Sequence, residues 1–198
     1  MRTLELLAPA KNLECGIAAI DHGADAVYIG ADRFGARAAA GNSVADIARL
    51  CEYAHRFGAK VYVTLNTIIY DDEFEDIMST ARQIADAGAD AILVQDMGLA
   101  EACRGLLPLH ASTQCDTRTA DKAAWLHRLG MSRVVLAREL SLEEIAHIHS
   151  EVPDVELEAF VHGALCVSYS GLCYASQYCF SRSANRGECA QFCRMKFD

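Results

Sequence analysis

Five cysteines lie close together near the end of the sequence and are its most distinctive chemical feature. Their spacing is Cys166-x6-Cys173-x5-Cys179-x9-Cys189-x3-Cys193. Clustered thiolates in a reduced compartment usually bind zinc or an iron–sulfur cluster, because a soft metal offsets the repulsion between the gathered sulfurs. The Cys-x2-Cys pairs of zinc ribbons are missing, as is the Cys-x3-Cys-x2-Cys run of radical enzymes. Spacing alone leaves three interpretations open: an iron–sulfur cluster, a zinc site, or cysteines that only pack.

The other cysteines and the start of the sequence indicate the compartment. The nine cysteines are an odd number, and Cys15, Cys51, Cys103 and Cys115 are scattered, as packing residues are. The apolar runs are far shorter than the roughly 20 residues of a membrane helix, and the start has no signal-peptide pattern. We therefore expect a cytoplasmic protein without a membrane segment, whose thiols are reduced or bind metal.

Charge is unevenly distributed along the sequence. The formal net charge of −9 argues against a broad electrostatic grip on nucleic-acid phosphates. The acidic excess lies entirely within residues 1–160. Residues 161–198 have a basic excess, with Arg182, Arg186, Arg194 and Lys196 against Glu188 and Asp198. A polyanion such as RNA is expected to approach the cysteine-rich end.

The elements that position these residues can be predicted from the hydrophobic pattern. Short apolar or β-branched runs alternate with segments of helical period, as in a parallel sheet with crossover helices. The predicted strands are Leu4–Ala8, Ala26–Ile29, Lys60–Leu65, Ala91–Val94, Leu109–Ser112, Arg133–Leu136 and Leu157–Val161. The predicted helices are Leu13–His22, Val44–Phe57, Asp72–Ala87, Gly98–Leu106, Thr119–Leu129 and Leu142–Ser150, with N-caps at Ser43 and Ser141 and exits at Gly23, Gly58, Gly88 and Gly130.

Seven strands joined by six crossovers predict an α/β fold, a TIM-like (β/α) barrel. The doubly wound sheet is the alternative with the same pattern, but the sequence lacks the Rossmann glycine fingerprint. A complete eight-stranded barrel takes about 250 residues, so 198 residues predict an incomplete one. We assign residues 1–161 to the barrel and residues 162–198 to a cysteine-rich metal-binding segment, which we expect to continue in a longer native protein.

Barrel enzymes carry their reactive residues in the loops that follow the strands, and these positions are polar here. Arg37 and Arg138 are candidate catalytic residues that would bind a small carboxylate ligand, because guanidinium groups pair bidentately with carboxylates. His162 is the third candidate, for proton transfer. The candidate substrate-binding residues are Asn66, Gln95, Asp96, Thr113 and Gln114. Two structural alternatives compete: an ion pair between Arg138 and Glu139, and a helix cap at Asp96.

Two stretches of the sequence form a recognisable signature. They are Glu158-x-Phe160-x-His162-Gly163-Ala164-x-Cys166-x3-Ser170-Gly171-x-Cys173 and Asn185-Arg186-Gly187-x-Cys189-x-Gln191-x-Cys193-Arg194. Together they closely resemble the signature of peptidase family U32, the collagenase-like family of unassigned catalytic type. Upstream segments such as Leu65-Asn66-Thr67, Gln95-Asp96-x-Gly98 and Ser112-Thr113-Gln114 also look like that family's barrel rim, so the resemblance covers nearly the whole chain.

The resemblance implies a function and a cofactor. Better-understood members of the family are oxygen-independent hydroxylases that act on a pyrimidine of tRNA or rRNA, or on a ubiquinone precursor. They hold a 4Fe-4S cluster through four cysteines, and prephenate is the implicated hydroxyl donor of the RNA enzymes. Position by position, Cys166, Cys173 and Cys189 match cluster ligands, and the fourth ligand is either Cys193 or a cysteine beyond residue 198. The basic terminal segment favours tRNA or rRNA over a quinone.

Two other functions stay open at this point. A collagenase-like peptidase would need a nucleophile with its base, yet the sequence has no HExxH, GxSxG or cysteine-protease signature. Only His162 with Cys166 could form a thiolate pair, and a metal on that cysteine would remove the nucleophile. The last alternative is a zinc-stapled RNA-binding module on an inert barrel. The sequence predicts no oligomeric state.

Overall fold

The computed structural model describes residues 4–35, 41–163, 166 and 168–196, and it consists of alternating strands and helices. The strands are β1 (Leu7–Ala10), β2 (Ala26–Gly30), β3 (Lys60–Leu65), β4 (Ala91–Val94), β5 (Leu109–Ala111), β6 (Met131–Val135) and β7 (Glu156–Glu158). The helices are α1 (Leu13–Asp21), α2 (Val44–Arg56), α3 (Phe74–Asp86), α4 (Met97–Ala102), α5 (Ala120–Arg128), α6 (Leu142–Glu151) and α7 (Ala175–Phe180). Within these ranges, no helix combines the length and apolarity that crossing a membrane requires.

The seven strands form one parallel sheet whose spatial order follows the sequence. The sheet curls into a half-barrel. Its curvature is seen in Glu5, just before β1, which accepts hydrogen bonds from Arg133 on β6 and from the hydroxyl of Tyr62 on β3. Contacts between strands so far apart in the order require a curved sheet. The prediction of an incomplete (β/α) barrel with seven strands is confirmed.

Each face of the sheet has its own apolar core. The outer face packs against the helices through fully buried side chains such as Ile47, Leu50 and Ile84, each of which stabilises the fold by about 1.5–3 kcal/mol. The inner face is a smaller cluster around Tyr62 and Leu93. Alternate residues of a strand point to opposite faces, so one strand supplies both cores.

An internal repeat connects helix ends to strand starts. His22-Gly23-Ala24-Asp25-Ala26 and Ala87-Gly88-Ala89-Asp90-Ala91 each close a helix and open a strand. Gly23 and Gly88 have φ of +94° and +88°, which favours glycine. The aspartate then accepts a hydrogen bond from a backbone N–H of the adjacent segment. Asp25 accepts from Leu6 N, just before β1, and Asp90 accepts from Val61 N in β3, both at 2.7 Å. The repeat thereby aligns adjacent strands at the amino end of the barrel.

Most helix limits lie within two residues of the prediction, whereas α4 ends at Ala102 instead of Leu106 and some strand limits differ. Ser43 and Ser141 are N-caps as predicted. The first strand begins at Leu7 instead of Leu4, because its pairing with β2 starts there and Leu4 is exposed. The last strand ends at Glu158 instead of Val161, where pairing with β6 stops. Helix α7 was not predicted, since it is short and lacks an apolar stripe.

Candidate active site at the mouth of the barrel

The cysteine-rich segment packs against the carboxyl ends of the strands. Ile68 N, after β3, donates a hydrogen bond of 3.1 Å to Asn185 O. Arg138, after β6, donates from Nη1 to Ser170 Oγ at 2.8 Å. Gly171 lies against the backbone of Gln114, after β5. Contacts with three different rim loops show that the segment covers the mouth, where barrel enzymes bind their substrates.

Arg186 fastens this segment to the barrel. Its guanidinium donates from Nη1 to Glu73 Oε2 at 2.8 Å and from Nη2 to Glu73 Oε1 at 2.5 Å. It also donates to Ile68 O at 2.9 Å and lies over the ring of Tyr70. The hydrogen bonds from Arg186 lower the pKa of Glu73 to about 2, so the pair stays ionised at neutral pH. Because the planar guanidinium of Arg186 donates to three oxygen atoms, it fixes the orientation of the segment as well as its position.

Gly171 allows the closest approach between the segment and the rim. Its φ is +77°, and a Cβ at this position would fall 2.3 Å from Gln114 O. Both the conformation and the lack of space require glycine here. The Ser170-Gly171 pair therefore contacts the rim at two points. The hydroxyl of Ser170 accepts a hydrogen bond from Arg138, and the backbone of Gly171 packs against that of Gln114.

Two arginines of the rim stack on aromatic rings. Arg138 lies 4.6 Å from the ring centroid of Phe160, and Arg118 lies 3.9 Å from that of Tyr169. The described polar contact of Arg138 is with Ser170, so the alternative ion pair with Glu139 does not form. A half-buried guanidinium held by a ring and a hydroxyl is a suitable partner for a carboxylate. Arg37 lies outside the described residues.

The predicted substrate-binding residues follow β3, β4 and β5 as expected, but their surroundings differ. Asn66 is buried and donates to Ser112 Oγ at 2.8 Å. Gln95 Oε1 and Thr113 Oγ1 are buried without a hydrogen-bond partner among the described residues. Gln114 is half-buried in the rim, and its backbone N donates to Ser112 Oγ at 3.2 Å. Buried polar atoms without partners are costly, so such atoms near the mouth are candidates for binding a ligand.

Asp96 acts as a helix cap. Its Oδ1 accepts a hydrogen bond of 2.8 Å from Leu99 N at the start of α4. This confirms the structural alternative for Asp96, and its binding of substrate stays a prediction. Sequence reasoning assigned no site role to Ser170 or Asn185. Asn185 is 2% exposed, and its Nδ2 has no partner among the described residues. Its place in the Asn-Arg-Gly motif was the one available signal.

The cysteines of the segment differ in exposure. Cys166 and Cys173 are half-buried, whereas Cys189 and Cys193 are exposed. The Sγ of Cys189 lies 3.9 Å from Ser176 Oγ. Among the residues that the structure describes, no three His, Cys, Asp or Glu side chains are grouped so as to hold a metal ion. The metal site at these cysteines stays a prediction.

His162 and the scattered cysteines complete the comparison with the sequence. His162 is exposed and, in the described part of the chain, shares no hydrogen bond with Cys166. Burial raises the pKa of Cys51 to about 12, and that of Cys103 and of Cys115 to about 11. These three thiols stay protonated at neutral pH, as expected of packing residues. Cys15 is exposed on α1, so the prediction that it packs in the core is wrong.

The chain is similar to a described protein family and to named proteins. The model of peptidase family U32 matches residues 11–198. The chain is 53% identical over 194 residues to the 23S rRNA 5-hydroxycytidine C2501 synthase of Escherichia coli K12, covering 98% of this chain and 30% of that protein. It is 40% identical over 198 residues to tRNA hydroxylation protein P1 of Bacillus subtilis 168, covering 98% and 47%. A collagenase of Porphyromonas gingivalis W83 is 34% identical over 203 residues, covering 96% and 49%.

The relatives are longer than this chain, which spans about half of their length or less. Among solved structures, the U32 peptidase Mk0906 is similar with a TM-score of 0.68 and 19% identity, covering 80% of this chain and 69% of that one. A 2,3-dimethylmalate lyase of the PEP mutase/isocitrate lyase superfamily is similar with a TM-score of 0.57 and 13% identity, covering 83% and 69%. At these identities the structural likeness shows the (β/α) fold alone.

Proposed function

The chain belongs to peptidase family U32, and from that premise we propose that it forms the barrel of an enzyme that hydroxylates a pyrimidine of rRNA or tRNA. The observation that carries the proposal is the 53% identity to an rRNA 5-hydroxycytidine synthase across nearly the whole chain. Several tRNA hydroxylation proteins are similar over the same length. An RNA substrate of this kind goes with a cytoplasmic location.

The barrel mouth offers suitable groups for such a reaction. We propose that Arg138, with Arg37, binds the carboxylates of prephenate as the hydroxyl donor. The stacked guanidinium of Arg138 would exchange its bond to Ser170 for a bond to a carboxylate oxygen. Gln95, Thr113 and Asn185 have polar atoms without a partner among the described residues, and these atoms would bind the donor or the pyrimidine edge. His162, being exposed, is available to exchange protons with a bound ligand.

We further propose that Cys166, Cys173, Cys189 and Cys193 hold a 4Fe-4S cluster. Four thiols on a segment packed against the mouth are a suitable donor set. The described geometry holds no group of three ligands. Iron and sulfide measured after anaerobic purification test this part of the proposal.

The function is tested in RNA from a strain that lacks the gene. Mass spectrometry of digested rRNA and tRNA should show that one pyrimidine nucleoside has lost a single oxygen atom, and the complete gene should restore it. Arg138→Ala should lower the extent of modification about 10- to 100-fold, as expected when a charge-assisted contact is removed. The exposed Arg128 on α5 provides the matched control, Arg128→Ala, which should restore modification fully.

A second function is favoured by one observation, the similarity to a collagenase. Unchanged RNA in the deletion strain, together with gelatin cleavage by the purified full-length protein, would show that the protein hydrolyses peptides and does not hydroxylate RNA. Iron, sulfide and zinc should be measured together after anaerobic purification. One equivalent of zinc without iron would instead identify a zinc-stapled RNA-binding module.

A further inference from the structure

Arg118 and Arg138 belong to adjacent loops of the barrel rim. The chain beyond β5 pairs with the chain beyond β6 through a parallel bridge between Thr117 and Leu136, and Ala137 N donates a hydrogen bond of 2.9 Å to Thr117 O. Arg118 follows one partner of this bridge by one residue, and Arg138 follows the other by two. Arg118 is therefore part of the same mouth as the candidate active site.

Asp116 holds the guanidinium of Arg118 in place. Nε and Nη2 of Arg118 donate to Asp116 Oδ1 at 2.9 Å and 2.8 Å. The backbone of Asp116 has a positive φ of +53°, and its carbonyl oxygen accepts a hydrogen bond of 3.2 Å from Lys122 Nζ. Because the carboxylate already compensates the charge of Arg118, this arginine is better suited to support a ring than to bind a further anion.

The ring of Tyr169 rests on this guanidinium. Cζ of Arg118 lies 3.9 Å from the ring centroid of Tyr169, so one face of the ring is covered. Tyr169 nevertheless keeps 55% of its surface exposed. With one face covered, an exposure this large requires that most of the other face is open. A flat aromatic surface is thus available to a ligand.

The two residues that follow Tyr169 place its ring at the mouth. Ser170 accepts a hydrogen bond of 2.8 Å from Arg138, and Gly171 packs against the backbone of Gln114. Because the three residues are consecutive, their contacts with the rim fix the position of the tyrosine. The open ring face is held one residue away from the contact with Arg138, the residue that we assign to the hydroxyl donor.

We propose that the open face of Tyr169 stacks on the target base, and that Arg118 is a positioning residue that supports the ring from behind. This rests on the proposed function, because it names how the RNA substrate is held at the same mouth. Stacking uses the face of the pyrimidine and leaves its polar edge free for hydrogen bonds. A base within a duplex has no free face, so the target nucleotide has to be unpaired or flipped out of its helix.

The test uses the complete gene product and two fluorescent hexamers, one of cytidine and one with the same ribose–phosphate chain but no bases. Tyr169→Leu keeps an apolar side chain but removes the ring. It should weaken binding of the cytidine hexamer about tenfold, the effect of losing one base stack. Binding of the abasic hexamer should not change. Tyr169→Phe, which keeps the ring, should rescue the affinity for cytidine.

Tyr174 provides the matched control. It lies in the same segment, is 58% exposed and, among the described residues, stacks on no guanidinium. Tyr174→Leu removes a ring of similar exposure and should leave the affinity for both hexamers unchanged. An equal loss in Tyr169→Leu and Tyr174→Leu would show that any exposed ring of the segment contributes, and it would overturn the specific role of Tyr169.

Salt dependence shows whether Arg118 supports the ring or binds a phosphate. Arg118→Met combined with Asp116→Asn removes both charges of the pair. This variant should bind the cytidine hexamer more weakly and keep the wild-type slope of log K against log salt. A slope that falls by about 0.7, the value for one phosphate contact on a single strand, would assign Arg118 to the RNA backbone and overturn its role behind the ring.

The abasic hexamer distinguishes stacking from docking of the segment. Equal losses for both hexamers in Tyr169→Leu would mean that the tyrosine only fastens the segment, and this result would overturn the stack. Unchanged affinity for cytidine in that variant, or no rescue by Tyr169→Phe, would overturn it as well.

Nucleoside analysis separates this inference from the proposed function. Unaltered RNA in the deletion strain would refute hydroxylation. Where the deletion strain does lack a modification, Tyr169→Leu should restore it less than wild type does and Tyr174→Leu should restore it fully. Full restoration by Tyr169→Leu would refute the stack and leave hydroxylation standing.

Discussion

Buried polar atoms at the mouth of the barrel distinguish candidate site residues from ordinary rim residues. Gln95 Oε1, Thr113 Oγ1 and Asn185 Nδ2 lack partners among the described residues. Asp96 is also a polar residue that follows a strand, but its carboxylate accepts a hydrogen bond from Leu99 N. The type and place of a residue predicted all of these except Asn185. Only the three-dimensional contacts show which side chains already have a partner.

Gly171 is the residue at which the docking of the segment can be tested most directly. Gly171→Ala should destabilise the docked segment by about 1–3 kcal/mol, because the new Cβ meets Gln114 O at 2.3 Å and φ is positive. Hydrogen exchange in the segment should accelerate in the variant. Gly163→Ala is the control, since Gly163 also has a positive φ of +115° but a Cβ there would meet no atom of the described residues within 4 Å. Equal effects of both substitutions would show that backbone strain alone matters, without close packing against Gln114.

At the level of elements, strands in the middle of the sheet could be predicted best. Lys60–Leu65 and Ala91–Val94 have the predicted limits, because continuous apolar runs between turn residues leave little choice of register. The start of β1 was predicted three residues too early, since Leu4 and Leu6 extend the apolar pattern ahead of the strand but are exposed. Its Pro9 is tolerated at the edge of the sheet, where a missing N–H costs little.

The docking of the cysteine-rich segment could not be predicted. Its main anchor joins Arg186 to Glu73, which are far apart in the sequence and belong to different elements. No local pattern pairs two such residues. The signature containing Arg186 was visible, but it was interpreted through its cysteines and assigned no contact to Arg186 or Asn185, which are found in an ion pair with Glu73 and in a buried position.

The ion pair of Glu73 and Arg186 predicts how the docking responds to acid. The pKa of Glu73 is lowered to about 2 in the folded state, from an ordinary value of 4.5. The contribution of this ion pair to the stability of the docked segment is therefore complete above pH 4.5 and is lost as the pH falls toward 2. Glu73→Gln should release the segment at neutral pH, which trypsin cleavage after Arg182 would detect. Asp76→Asn, at an exposed pair with Arg33, should leave cleavage unchanged. Intact docking in Glu73→Gln would refute the anchor.

Across the whole molecule, an interior layer of polar side chains joins distant strands. Arg133 on β6 bonds to Glu5 before β1 and to Glu156 on β7. His110 packs edge-on against Tyr62, with 4.7 Å between ring centroids. A cavity of about 270 Å³ opens beside this layer at the amino end of the barrel, opposite the mouth. The layer therefore stabilises the curvature of the sheet, and chemistry is expected at the other end.

The same layer predicts how global stability depends on pH. Burial raises the pKa of Glu158 to about 7, despite Arg133 nearby. A carboxyl group with a raised pKa destabilises the fold as the pH rises from about 4.5 past 7, because ionisation is easier in the unfolded chain. Glu158→Gln removes this penalty. Relative to wild type, the variant should therefore gain on the order of 2 kcal/mol in unfolding free energy between pH 5 and pH 8.5, measured by urea denaturation.

Burial lowers the pKa of His110 to about 3, so this histidine stays neutral in the folded state at both pH values and cancels in the comparison. Glu156→Gln, whose side chain is 66% exposed, is the control. A difference between Glu158→Gln and wild type that is the same at both pH values would show that Glu158 is ionised throughout.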